Sequence, residues 1–205
     1  MEVRPSTLRG RIVLLEPLNR HHVPDLAVAA AHDAIWTYLD EPTPSTADAV
    51  QQLVNDALNE QRRDERLPFA ILDLASGQAI GSVSFIDLQP AHHGLEVGWG
   101  WITPAAWGTG AMREAVLLLL TYAFEDLGAI RVAFKTDTRN LRSQGALEAL
   151  GATREGTLRH HRILRDGYVR DSVYYSVTDD EWPAVRQRGS LRASVPAVPA
   201  VPKSL

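Results

Sequence analysis

The chain contains no cysteine, which excludes disulfides, thiolate nucleophiles and cysteine-based zinc sites together. Long apolar runs are also missing. The longest strongly apolar stretch, residues 115–124, covers about ten positions, where a membrane-spanning helix needs roughly twenty, and the N-terminus lacks the apolar core of a secretory signal. The expectation is therefore a soluble, cytoplasmic protein without a membrane partner. There is no excess of positive charge: the net charge is −4, which argues against a dedicated nucleic-acid binder. Lysine is scarce, with Lys135 and Lys203 the only two, a compositional habit rather than a sign of a site. No Gly-Lys-Ser/Thr follows any glycine-rich turn, so a Walker A loop is absent. The adjacent pair His92-His93 would point to opposite faces of a strand, and no metal site is expected.

What remains is ordinary globular composition in 205 residues, enough for one domain with a real core. Residues 11–17, 67–72, 79–86, 95–102, 130–136, 152–162 and 168–178 read as strands, with turn signals at Ala75-Ser76-Gly77 and Asp166-Gly167. Residues 21–32, 48–62, 112–127 and 142–150 carry helical spacing. From residue 187 the composition changes, and a proline-rich tail ending SVPAVPAVPKSL is expected to be disordered, since proline removes amide donors and favours extended backbone. The domain is expected to occupy residues 1–186 and the tail residues 187–205.

One unit carries chemistry. A strand ending in Trp101-Ile102 runs through a turn into the helix that starts near Met112, with Trp107-Gly108-Thr109-Gly110-Ala111-Met112 between them. A helix N-terminus offers unpaired N–H groups and the positive end of the macrodipole, which together suit a pyrophosphate. Glycines at 108 and 110 let a phosphate oxygen approach the main chain. Alone, such a loop is equally a glycine turn that opens a helix.

Further residues give it a context. Ile102-x-Pro104-x-x-Trp107-Gly108-x-Gly110, followed by Asn140-x-x-Ser143 and Glu148-Ala149-Leu150-Gly151, resembles the paired motifs of the GNAT superfamily of N-acetyltransferases. Arg154-Glu155-Gly156-x-Leu158-Arg159, Asp166-Gly167, Arg170-Asp171, Tyr174 and Glu181-Trp182 resemble its RimJ/RimL branch of ribosomal-protein N-terminal acetyltransferases. The resemblance spans roughly residues 8–186. It implies an α/β fold of the GNAT type: a mixed, mostly antiparallel sheet of about seven strands, splayed near the fourth and fifth, with helices on both faces.

The resemblance also implies an acetyl-CoA-dependent enzyme that transfers acetyl to a primary amine by direct attack in a ternary complex. Its most fitting acceptor is a protein N-terminal α-amino group, with a small amine (amino acid, polyamine or antibiotic) or a non-catalytic acyl-CoA-binding role as alternatives. The main chain of Trp107, Gly108, Thr109, Gly110, Ala111 and Met112 would bind the diphosphate, and Trp101 and Ile102 would pair with the pantetheine arm. Asn140 would hold that arm. Ser143 would assist departure of the sulfur, in place of the Tyr that many relatives carry where this chain has Leu147. Asn140 and Ser143 also suit helix capping. Glu96 is a candidate general base or a strand-surface carboxylate, and Arg113 a phosphate contact or a solvated first-turn residue. The run Arg159-His160-His161-Arg162 either lines an acceptor groove or is solvated. Homodimers are frequent in the branch, so a homodimer is one expected assembly.

Overall fold

The fold follows from a sheet whose central strands are buried in continuous runs, because helices pack on both of its faces. The computed structural model describes residues 1–192. Eight strands form one sheet: β1 (Leu8–Arg9), β2 (Val13–Pro17), β3 (Arg66–Asp73), β4 (Ala79–Gln89), β5 (Gly94–Ile102), β6 (Arg131–Asp137), β7 (Thr153–Ile163) and β8 (Val169–Thr178). Their spatial order is β1-β2-β3-β4-β5-β6-β8-β7. Every neighbouring pair is antiparallel except β5–β6. The sheet is mixed and mostly antiparallel as expected, with one strand more than the sequence suggested. The extra strand, β1, is two residues long, too short to leave a periodicity.

Helices cover both faces. Against one face pack α1 (Val23–Ala29), the short α2 (Asp33–Trp36) and α3 (Ala47–Arg62), whose Val50, Val54 and Ala57 are buried with Ala70 and Ala79 of the sheet. Thr46 opens α3 by accepting the Ala49 N–H at 3.1 Å. On the other face lie α4 (Ala111–Thr121), α5 (Leu141–Leu150) and α6 (Trp182–Arg192). Ala115, Leu119 and Leu120 of α4 are buried against Val83, Phe85, Val97, Val132 and Tyr175 of the sheet. α4 continues into a π-helical turn over Tyr122–Asp126.

Two expectations shift. The segment 21–32 is broken rather than one helix: a 3-10 turn at Arg20–His22 precedes α1, and the chain turns extended at His32. The Trp36 indole N–H donates to the Ala30 carbonyl at 2.8 Å, taking an acceptor that a continuing helix would use. α6 runs to Arg192, six residues past the boundary expected at 186. Beyond residue 186 it is held to α4: Gly189 packs against Leu117, and Arg113 donates to the carbonyls of Arg188 and Gly189. The proline-rich part of the expected tail, residues 193–205, lies outside the described residues.

Candidate active site

The sheet parts between β5 and β6. These parallel strands pair at only three positions, Gly94 with Arg131, Leu95 with Val132 and Glu96 with Ala133. Beyond Glu96, β5 stays with β4 as far as Ile102, and β6 turns to β8 as far as Asp137. A bulge bends β5 just past the divergence: Gly98 to Trp101 spans three steps where Ser84 to Ser82 of β4 spans two. The extra residue falls at Trp99, whose φ of 51° is left-handed, a conformation that costs a non-glycine residue free energy. Bulges bend strands and increase local twist, so β5 leaves β6 with an edge free for an extended ligand. This gap stands between the expected fourth and fifth strands.

The loop after β5 forms one lip. Trp107 donates its indole N–H to the Ile102 carbonyl at 3.0 Å, and the Thr109 hydroxyl donates to Ala106 O at 2.7 Å. The amides of Trp107, Thr109 and Ala111 have acceptors inside the loop: Pro104 O at 3.0 Å, Ala106 O at 3.4 Å and Thr109 Oγ1 at 3.3 Å. Those of Gly108, Gly110 and Met112 have no protein acceptor among the described residues. Alternate amides therefore build the frame while the ones between them stay open. The expected cradle at residues 107–112 thus has three amides engaged within the loop and three open. Gly108 and Gly110 have φ of 77° and 93°, which L side chains rarely adopt. The cradle fits a diphosphate: open N–H donors sit at the start of an eleven-residue helix, in a glycine turn that exposes them.

Two charged neighbours of the loop point elsewhere. Glu114 accepts the N–H groups of Arg11, Ile12 and Val13 at 2.9, 2.7 and 2.8 Å. Its first-turn charge is thereby spent on the start of β2. A Cβ at Gly10 would fall 2.4 Å from that carboxylate, so a larger residue there would displace Glu114 from these bonds. The Arg113 guanidinium donates to the carbonyls of Arg188 and Gly189 in α6, at 3.2 and 3.4 Å. Arg113 thus ties α4 to α6, and its side chain is not directed at the open amides as a phosphate contact would be.

The other lip is the turn from β6 into α5. The Asp137 side chain is fully buried. Burial would raise its pKa, but the Arg139 side chain and backbone N–H bonds outweigh that and hold it below the usual carboxylate value. Asn140 Oδ1 accepts the Ser143 N–H at 3.1 Å, so Asn140 caps α5. The Ser143 hydroxyl makes no hydrogen bond among the described residues, and the residue is half-buried. Leu147, where a Tyr is common in the resembled family, packs against the core. The two lips meet where the Arg142 guanidinium stacks 3.7 Å over the Trp107 ring. That contact brings the Asn140–Ser143 turn beside the open amides.

Glu96 sits at the vertex, the last β5 residue paired to β6. It is 3% exposed and accepts from Lys135 Nζ at 2.9 Å. Burial raises its pKa and outweighs the opposing pull of Lys135. Sequence reasoning missed Lys135 as part of the site. Its signal was present, a single lysine in a domain otherwise supplied with arginine, and was read as composition. Beyond it on the same side, His161 Nδ1 lies 3.0 Å from Ser172 Oγ, and His161 packs edge-on against Tyr174. Asp171 accepts the His160 N–H at 2.7 Å, a structural role.

Of the other histidines, His93 Nδ1 donates to the Gly128 carbonyl at 2.9 Å. Glu16, His21 and His22 bring three potential ligand atoms within 4.8 Å of one another. His22 Nδ1, however, accepts the Asn19 N–H at 3.1 Å. The neutral ring must then carry its proton on Nε2, 3.3 Å from Glu16, and that nitrogen is not free for a cation.

Comparison with known proteins agrees with this geometry. The family model described as "Acetyltransferase (GNAT) domain" matches residues 12–153. The Bacillus subtilis (strain 168) protein named "Putative ribosomal N-acetyltransferase YdaF" is 31% identical over 172 residues, covering 83% of this chain and 92% of that one. The crystal structure of a GCN5-related N-acetyltransferase from Brucella melitensis superposes with a TM-score of 0.86 at 31% identity, over 92% of this chain and 86% of the other. RimL, the ribosomal L7/L12 alpha-N-protein acetyltransferase, superposes with a TM-score of 0.74 over 86% of this chain and 96% of its own. Its 19% identity makes that a likeness of fold alone. Among the described residues no helix is long and apolar enough to cross a membrane. A family match over most of the chain and a related N-acetyltransferase along nearly its whole length make this chain a member of the GNAT acetyltransferase family.

Proposed function

We propose that the protein transfers the acetyl group of acetyl-CoA to a protein N-terminal α-amino group, by direct attack while both substrates are bound. The observation that carries this reading is the junction of the parted β5–β6 edge with the open amides of Gly108, Gly110 and Met112. The diphosphate lies on those amides, and the pantetheine arm runs along β5 at Trp101 and Ile102. The Asn140 side-chain amide steadies the arm, and Ser143 donates its hydroxyl to the departing sulfur. Proximity of the two bound reactants supplies much of the rate.

The acceptor must be uncharged to attack. An α-amino group has a pKa of about 7.7–8.0, against about 10.4 for lysine, and so needs little help from a base. Glu96 is the group nearest that role, because its raised pKa makes it a better proton acceptor than an ordinary carboxylate. Its bond to Lys135 makes it a modest one. This balance favours an α-amine over a lysine side chain. The name of YdaF, a putative ribosomal N-acetyltransferase, suits a ribosomal acceptor.

The test is a panel of N-terminal peptides, lysine peptides, amino acids, polyamines and aminoglycosides offered with acetyl-CoA. Turnover of N-terminal peptides above the others supports the reading. Turnover confined to small amines would overturn it. Gel filtration with light scattering reads whether the enzyme is the homodimer common in the resembled branch.

A further inference from the structure

We infer that Arg162 and Arg170 form a subsite for a carboxylate carried by the amine acceptor, so that a favoured peptide acceptor has an acidic residue close behind its terminal amine. The inference rests on the peptide-acceptor reading above and specifies it.

The geometry begins with the β7–β8 register. Leu158 is opposite Ser172, yet Arg162, not His160, is opposite Arg170. Two extra residues are therefore taken up in β7. The irregularity contains His160, at φ 49°, with its N–H bound by Asp171. A regular ladder would set His160 against Arg170. The bulge sets two arginines directly opposite each other instead, where side-chain origins are only about 5 Å apart and like charges repel. An anion bridging the two would relieve that repulsion.

No protein anion does. Among the described residues neither guanidinium makes an ion pair or a hydrogen bond, and Arg170 Nε is buried with no partner. The nearby charges are otherwise committed. Glu96 is held by Lys135 at 2.9 Å and Asp137 by Arg139 at 2.8 Å, while Asp40 accepts the Arg165 N–H at 2.9 Å. The fields of Asp137 and Asp40 favour the charged form of Arg170 but do not outweigh its burial, and among the described residues no carboxylate pairs with either arginine. Burial disfavours the charged form of Arg170, so its guanidinium is kept in place at a cost.

The patch adjoins the chemistry. Val173, Tyr175 and Val177 of β8 face the α4 core; Ser172, Tyr174 and Arg170 alternate with them and share the opposite side. The charge of Arg162 acts on Glu96 at the vertex of the gap. Paired guanidiniums match the two oxygens of a carboxylate. The same positive field disfavours a protonated amine, and so enlarges the reactive neutral fraction of an acceptor bound there.

The experiment compares kcat/KM for peptides Ser-Asp-Ala-Ala, Ser-Ala-Ala-Ala and Ser-Lys-Ala-Ala, and for free glutamate, with the full-length enzyme and its R162Q, R170Q and R170E variants. The expected result is a preference of about tenfold or more for the aspartyl over the alanyl peptide, carried mainly in KM. R162Q and R170Q each flatten that ratio, and R170E turns it toward the lysyl peptide. R162Q alters an exposed residue, so the test survives if Arg170 variants fold poorly. A wild-type ratio within about twofold, or a ratio unchanged in R162Q, overturns the subsite while leaving the peptide reading intact. Acetylation of free glutamate but no peptide overturns the peptide reading, and a loss of that activity in R162Q then supports the subsite on a small acceptor.

Discussion

Replacing Lys135 by Met tests the electrostatics at the vertex of the gap. In the native protein Lys135 Nζ is 2.9 Å from a Glu96 side chain that is 4% exposed, while the Lys135 side chain itself is 20% exposed. Removing one partner of a buried pair leaves an uncompensated charge and typically costs about 3–5 kcal/mol. The partial exposure of Lys135 places this case near the lower end, about 3 kcal/mol. In a protein of this size that is a fall in Tm of roughly 6–12 °C.

The loss must depend on pH. Burial already raises the Glu96 pKa, so the folded state holds a proton there more tightly than the unfolded state does. The stability contribution of such a group is present at low pH and is lost as pH rises through its folded pKa. Without Lys135 the pKa rises further. K135M should therefore be strongly destabilised at pH 8, and the deficit should shrink as pH falls and Glu96 becomes a neutral acid. Urea unfolding of wild type and K135M between pH 5 and 8 reads this directly, and the double variant E96Q/K135M should recover most of the loss at pH 8. A deficit of equal size across that range, or no recovery in the double variant, would refute the reasoning and reduce Lys135 to a packing residue.

Three further outcomes follow from the geometry. Ser143→Ala should lower kcat by about a hundredfold, the low end for a lost proton donor, with acetyl-CoA affinity changed much less; steady-state kinetics beside a binding titration separates the two. Gly110→Ala forces a side chain into φ 93°, which should destabilise the protein by about 1–2 kcal/mol and weaken acetyl-CoA binding, read by thermal unfolding with and without ligand. Burial lowers the pKa of His22, whose Nδ1 already accepts an N–H. The folded state resists its protonation, so its contribution is intact above about pH 6.5 and is lost as pH falls below that. His22→Gln should flatten the acid limb of a stability–pH curve.

The sequence announced the fold where periodicity was strong and local. The 112–127 helix, the β3–β4 hairpin and the alternation of β8 all leave repeating apolar positions, and the structure keeps them. It was silent where a tertiary contact decides the backbone. The break in the 21–32 segment depends on an indole donating to a carbonyl six residues away. The extension of α6 goes with contacts of Arg188 and Gly189 to Arg113 and Leu117 on α4, not with any pattern in its polar residues. For the site, the strand–loop–helix unit and Asn140-x-x-Ser143 were legible because their spacing is local. The Glu96–Lys135 pair joins residues 39 apart in sequence, and the pairing of Arg162 with Arg170 depends on a bulge that composition does not encode. The link from Arg113 to α6 was hidden for a related reason: its acceptors are carbonyls some 75 residues away in the chain.

The central claim is that the open amides of Gly108, Gly110 and Met112 hold a diphosphate beside the unpaired edge of β5. Amide NMR of the 15N-labelled protein during titration with acetyl-CoA tests it most directly. The account predicts saturable shifts at those three amides together with Trp101 and Ile102. Saturation that moves none of them, or no binding of any coenzyme A species, would contradict it.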